Sequence, residues 1–169
     1  MNEIRTERLT LRRARIGDLD AIHAVLGNAQ ATRYWSTPPH ASLEQSREWL
    51  QSMIDAPPEL SDDYVVEYEG RVIGKAGCWR LPEIGFVLHP DFWGRGLARE
   101  AIEAAIASAF SKFPVEALIA DVDPRNAASL AVLKRLGFVE TGRAERTFEL
   151  DGEICDSVYL SLARPGAVT

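Results

Sequence analysis

The sequence predicts a mixed α/β domain whose elements run β-α-α-β-β-β-α-β-α-β-β. Strand-like and helix-like periodicities follow one another irregularly, not as repeated βαβ units. Apolar residues make up 46% of the 169 residues, enough for one core of ordinary size. In mid-chain, a glycine-containing turn joins a strand directly to a long amphipathic helix. No linker or internal repeat divides residues 1–169, so a single domain is expected.

The first strand lies at Arg8-Leu9-Thr10-Leu11-Arg12, where polar and apolar residues alternate. Gly17-Asp18 precedes a helix with Leu19, Ile22 and Leu26 on one side, Asp18 its expected N-cap and Gly27-Asn28 its left-handed stop. Ser42 and Gln45 have capping-box spacing at the start of a second helix. Leu43, Leu50 and Ile54 share a face of it with Trp49 and Met53, and Pro57-Pro58 ends it. The intervening Ala29–Ala41, with Tyr34, Trp35 and His40, reads as a loop or broken helix. Tyr64–Tyr68 and Val72–Trp79 flank Glu69-Gly70 as a hairpin, and a turn at Leu81-Pro82 leads to the strand Glu83–Leu88. Gly85 inside that strand marks a bulge or a close approach. After Gly94 and Gly96 a long helix carries Ala98, Ile102, Ala105, Ile106, Ala109, Phe110 and Phe113 as its apolar stripe. Ala117–Val122 is nearly all apolar, as for a central strand covered on both faces. Asn126 caps a shorter helix through Leu136 that Gly137 terminates, and Asp151-Gly152 joins two final strands between Phe138 and Ala163.

Composition excludes several classes. The 26% of charged residues, 12 Gly and 9 Pro fit neither a disordered nor a fibrous chain. No run approaches the roughly 18 apolar residues of a membrane span. The charged N-terminus lacks the apolar region of a secretory signal, so a cytoplasmic location is expected. A net charge of −6 disfavours nucleic-acid partners and suits a cationic one such as an amine. His23, His40 and His89 share no metal spacing, and Cys78 and Cys155 form no disulfide framework, so no metal is expected.

The glycine turn carries the most chemistry. Residues lacking Cβ let the backbone approach a bulky anion, and the first amides of the following helix are unpaired at the positive end of its dipole. With Arg95 and Arg99 nearby they can cradle phosphate. The same turn also reads as a tight strand-to-helix connection with a packing glycine. Neither GxxxxGK[ST] nor a GxGxxG after a first strand is present, so the familiar phosphate loops fit badly and a dinucleotide fold lacks its fingerprint.

Three segments together resemble the GNAT superfamily of acetyl-CoA-dependent N-acetyltransferases, and within it the RimJ/RimL-like group that acetylates ribosomal-protein N-termini. TERLTLRRARIGD is similar to the family's first strand and turn, and EIGFVLHPDFWGRGLAREA to its fourth strand, pyrophosphate loop and third helix. DVDPRNAASLAVLKRLGF is similar to its fifth strand and fourth helix. Trp93 departs from the Gln or Arg usual at the start of the loop, a subgroup mark that removes one polar side chain. The resemblance implies a mostly antiparallel six- to seven-stranded sheet flanked by about four helices, with the fourth and fifth strands splayed. Pantetheine would pair with the backbone of Phe86, Val87 and Leu88. Amides from Trp93 and Gly94 through Arg95, Gly96, Leu97, Ala98 and Arg99 would hold the pyrophosphate. Asn126 would meet the pantetheine arm, with pure N-capping as its alternative. Lys134 or Arg135 would reach a nucleotide phosphate or simply complement the helix end.

Acetyl transfer needs a deprotonated amine, a donor for the oxyanion and a thiol leaving group. Glu83, opening the strand that faces the thioester, is the expected general base; its alternative is a solvated strand end. Ser129 shares a helical face with Asn126 and would donate to the departing thiolate or make a passive contact. Tyr34 and Trp35, with His40, would line the acceptor pocket beside Glu83 or cap the core. His89 is a weaker proton relay, and Cys78 and Cys155 are expected as packing residues. The expected function is acetyl-CoA-dependent N-acetylation of a protein N-terminal α-amine or a small amine in a direct ternary complex, by a monomer or homodimer. A non-catalytic acyl-CoA sensor, needing no base and no acceptor cleft, is the competing reading.

Overall fold

Alternating burial fixes which way each strand faces, and the long apolar helix decides which face becomes the main core. The structure is a computed structural model and describes residues 3–166. Its strands are β1 (Ile4–Arg5), β2 (Leu9–Arg12), β3 (Asp62–Tyr68), β4 (Arg71–Arg80), β5 (Glu83–Leu88), β6 (Ala117–Val122), β7 (Val139–Leu150) and β8 (Glu153–Ala163). The helices are α1 (Leu19–Leu26), α2 (Leu43–Asp55), α3 (Leu97–Lys112) and α4 (Ala127–Arg135). The sheet order is β1-β2-β3-β4-β5-β6-β8-β7, and among the described residues only β5 and β6 run parallel. The eight strands exceed the six to seven expected because the short β1 pairs ahead of β2.

On one face, Leu9, Leu11, Tyr64, Val66, Ile84, Leu88, Leu118, Ala120 and Leu160 pack against Ile102, Ala105 and Ala109 of α3 and Leu133 of α4. On the other, α1 and α2 cover Val65, Val72 and Val87. Most expected boundaries hold. The Ser42 hydroxyl accepts the Gln45 amide, Glu69 and Gly70 both take positive φ in their hairpin, and Asn126 caps α4.

Four expectations need correction. Gly27 has φ −86°, so α1 does not end in a left-handed residue; it closes by donating from Gly27 N–H to His23 C=O at 2.8 Å. Asp18 makes no side-chain cap on α1, because its carboxylate is taken by the Arg12 guanidinium and the Arg15 amide. Leu43 and Ile54 of α2 are exposed, leaving Leu50 with Trp49 and Met53 as the packed side. The apolar run of β6 is covered on one face only: Ile119 is 45% exposed while Leu118 and Ala120 are buried.

β3 starts at Asp62, two residues before the expected Tyr64, and charged residues are buried there and at Lys75. Lys75 meets Asp63 at 2.7 Å, both almost wholly inside. Asp62 is held by the Tyr64 hydroxyl at 2.7 Å, Ser108 at 2.8 Å and Arg13 at 3.2 Å, and pairs with Lys112. A buried carboxylate survives only when cations and hydroxyls satisfy it in this way.

Candidate active site

The site begins where two neighbouring strands part. The β5–β6 ladder consists of the single pair Glu83↔Ile119, supported by Ile119 N–H donating to Pro82 C=O at 3.0 Å. Beyond it β6 stays paired with β8 through Val122↔Val158, whereas β5 follows β4. A register shift between Gly77 and Arg80 bends β4 and, with it, β5. Only glycine fits at Gly77, where φ is +143° and a Cβ would stand 2.4 Å from the Asp62 carbonyl.

Antiparallel pairing then decides which main-chain groups of β5 are free. His89 N–H donates to Ile73 C=O at 2.8 Å, so alternate residues going back along the strand bond β4. Phe86 and Leu88 lie between them and turn their main-chain groups to the gap, the Leu88 carbonyl there accepting the Trp93 indole N–H and the Leu88 amide and the Phe86 amide and carbonyl facing the opening. The result is a cleft of about 760 Å³, walled by Ile84–Leu88 on one side and Ala120–Asp123 with α4 on the other.

At its mouth the chain turns into α3. Gly94 and Gly96 have φ of +74° and +76°, conformations that side-chain-bearing residues rarely adopt, and Gly96 is the N-cap with no side chain to occupy the first amides. An anion is therefore the natural partner of this end. Trp93 uses its indole N–H on Leu88 C=O at 2.9 Å, tying the turn back to the free strand edge. The residue that departs from the usual loop pattern thus fastens the loop.

The expected binding residues Phe86, Val87, Leu88, Trp93, Gly94, Gly96, Leu97, Ala98, Arg99, Asn126 and Ser129 all line the cleft. Arg95 does not: its guanidinium donates to Asp91 C=O at 3.3 Å and lies over Phe92. Arg135 lines the cleft and Lys134 does not. Asn126 accepts the Ser129 amide at Oδ1 (3.2 Å), so it caps α4 and keeps its NH2 group for a second partner.

Glu83 stands at the vertex, outside the cleft walls. Its pKa is raised above the ordinary 4.5, by burial first and then by the nearby Asp121 carboxylate, with Trp79 opposing. Asp121 itself lines the cleft. Sequence reasoning passed over Asp121, although a lone acid within an apolar strand was a usable signal.

Tyr34 and Trp35 line the cleft. The guanidinium groups of Arg33 and Arg125 stand 4.7 and 5.5 Å from the Tyr34 ring centre, and Arg125 in turn pairs with Asp123 and Glu153. This ties the aromatic loop to the β7–β8 hairpin. His40 lies elsewhere, buried against the Ser46 hydroxyl that it shares with His23 at 2.8 and 2.7 Å. Its pKa is lowered by burial and by His23. His89 accepts the Asp91 amide at Nδ1 (3.2 Å) and packs edge-on to Phe92. Cys78 and Cys155 are both buried, and burial pushes the Cys78 thiol up to about 12, so it is no nucleophile at neutral pH. Among the described residues no group of His, Cys, Asp or Glu is arranged to hold a metal ion, and no helix is long and apolar enough to cross a membrane.

Comparison with known proteins agrees with this geometry. Residues 8–139 match the family model described as acetyltransferase (GNAT) domain. The chain is 28% identical over 173 residues to the uncharacterized N-acetyltransferase p20 of Bacillus licheniformis, covering 97% of each. It shares its fold with RimL, a ribosomal L7/L12 α-N-protein acetyltransferase solved with coenzyme A (TM-score 0.84, 21% identity, 95% of this chain and 97% of that one). It also shares it with spermidine N-acetyltransferase from Vibrio cholerae, solved with CoA and spermine (TM-score 0.81, 24% identity, 94% and 97%).

Proposed function

Given that the chain belongs to the GNAT acetyltransferases, we propose that it transfers the acetyl group of acetyl-CoA to a cationic primary amine held beside Glu83. The observation that carries this reading is the splayed β5–β6 pair: one open strand edge leads from an anion cradle to a carboxylate with a raised pKa.

The residues divide the work as follows. The first amides of α3 and the Arg99 side chain hold the diphosphate, and Arg135 adds positive charge farther along the wall. Phe86 and Leu88 pair with the pantetheine amides as a neighbouring strand would, and the Asn126 NH2 group adds a donor. A free amide on this edge also faces the thioester carbonyl, where it stabilises the charge that develops on oxygen. Glu83, directly or through water, removes a proton from the ammonium. The amine nitrogen then bonds the carbonyl carbon, the C–S bond breaks with its electron pair on sulfur, and the thiolate takes up a proton from the Ser129 hydroxyl, which lines the same cleft. Both substrates are bound together, so no acyl-enzyme forms, in keeping with two buried thiols.

The acceptor enters on the face opposite α3, framed by Tyr34, Trp35 and Asp121. Two carboxylates in electrostatic contact suit a positively charged amine, whether a polyamine or a protein N-terminus. Thiol release from acetyl-CoA measured with spermidine, with a short peptide bearing a free α-amine and with its N-formylated form separates these acceptors. A tight CoA complex with no thiol release on any amine or peptide would favour the non-catalytic sensor instead.

A further inference from the structure

We infer that Arg8 is a positioning residue that holds the anion cradle in its binding orientation. Resting on the reading of residues 94–99 as the diphosphate site, this assigns a role to the Thr-x-Arg-Leu turn at the start of the chain.

Thr6 closes that turn on itself. Its amide donates to Leu9 C=O at 2.9 Å, and its hydroxyl accepts the Leu9 amide at 3.0 Å. The turn projects Arg8 across to a segment 87 residues away, where Nη1 donates to the carbonyl of Arg95 at 2.8 Å. The same guanidinium meets Glu100, in the first turn of α3, at 3.3 Å.

A cation at the N-terminus of a helix has the wrong sign for the helix dipole, so its presence needs a reason. Glu100 offsets the charge but does not explain the bond to Arg95. Geometry does. In a trans peptide the carbonyl of one residue and the amide of the next point in opposite directions. Fixing Arg95 C=O toward Arg8 turns the Gly96 N–H away from it. Gly96, like Arg99, borders two surfaces: a shallow outer groove that contains Arg8, and the cleft, which does not. The amide therefore faces the cleft.

Without this tether the orientation is weakly determined. Gly94 and Gly96 flank the segment with positive φ, and glycine tolerates either sign. Rotation of the 95–96 peptide would present a carbonyl oxygen, not an N–H, to an incoming diphosphate. One charge-assisted hydrogen bond would be replaced by a repulsion, a loss on the order of ten- to a hundredfold in affinity.

The test uses the full chain and two acetyl donors that differ in the diphosphate. CoA binding is measured by calorimetry, and turnover is compared for acetyl-CoA and for S-acetyl-pantetheine, which lacks diphosphate and nucleotide. For Arg8→Ala the Kd of CoA is expected to rise about ten- to a hundredfold, with the kinetic loss falling on KM for acetyl-CoA. The preference for acetyl-CoA over S-acetyl-pantetheine, as a ratio of kcat/KM, falls by a similar factor. Arg8→Lys, which can still donate to Arg95, recovers part of it. An unchanged CoA affinity, or equal losses with both donors, overturns the inference. Failure of the unsubstituted chain to bind CoA would instead overturn the proposed function.

Discussion

Replacing Glu83 by glutamine keeps the shape of the side chain and removes its ability to accept a proton. The size of the effect depends on how often the acceptor loses its proton unaided. An alkyl ammonium with pKa near 10.4 is free in roughly one molecule in a thousand at pH 7.4, whereas an α-amine with pKa near 8 is free in about one in five. A general base is typically worth about 10²–10⁴ in rate. Glu83→Gln should therefore lower kcat/KM by up to about a thousandfold for a polyamine at pH 7.4 and only severalfold for a peptide N-terminus. Either deficit closes as pH approaches the acceptor's own pKa. In the unsubstituted enzyme the acidic limb of the pH–rate profile lies above 4.5, because burial and Asp121 raise the Glu83 pKa. Stability moves the other way. A carboxyl whose folded pKa exceeds its unfolded value loses stability as pH rises from the unfolded value through the folded one. Glu83→Gln should thus melt slightly higher than the parent at pH 7.5, and the advantage should disappear below pH 4.5. Initial rates across pH 5.5–10, with thermal unfolding at pH 7.5 and at about pH 4, measure all of this. An unchanged pH–rate profile removes Glu83 from the base role, and a lower melting temperature at pH 7.5 makes it a structural residue.

Two further substitutions probe the cradle and the buried charges. Gly96→Ala places a side chain at φ +76°, about 1–2 kcal/mol against a left-handed conformation, although its Cβ meets only Arg8 Nη2 at 3.5 Å. It should weaken CoA binding in calorimetry and lower the melting temperature by a few degrees, while Gly17→Ala, in open space, should do neither. Lys75→Met leaves the Asp63 carboxylate buried and unpaired, a loss of about 3–5 kcal/mol in denaturant unfolding that Lys75→Met with Asp63→Leu should largely restore.

What could be read from the sequence was local. The start of α2 at Ser42, the Asn126 cap, the Glu69-Gly70 and Asp151-Gly152 hairpins and the glycine entry to α3 each depend on residues a few positions apart. So most cleft residues could be named in advance. The misreadings came where distant segments decide. Gly27 ends α1 without positive φ because the chain runs on into turns of the 28–41 loop. Asp18 abandons the cap for Arg12, six residues back on β2, and the second face of β6 stays open because, among the described residues, no helix covers Ile119. The Lys75–Asp63 pair joins β3 to β4 and the Asp62 cluster joins β3 to Ser108 and Lys112 of α3, and nothing in their local pattern separates such residues from solvated strand charges. Asp121 acquires meaning only when β6 is set beside Glu83.

The period of two along β5 assigns its three surfaces to three tasks. Ile84, Phe86 and Leu88 send their side chains into the α3 core, which anchors the strand. The same residues turn their main-chain groups at positions 86 and 88 toward the gap left by β6, where an extended cosubstrate can pair. Glu83, Gly85 and Val87 take the opposite face. There Val87 carries α1 and α2, while a Cβ added at Gly85 would touch nothing within 4 Å, leaving open floor next to the Glu83 carboxylate. In the proposed reading, donor and acceptor therefore approach one strand from directions roughly at right angles and meet where the ladder begins to open. A slip of one residue in β5 would put Glu83 under α3 and an apolar side chain beside the acceptor, so the register that builds the core also sets the chemistry.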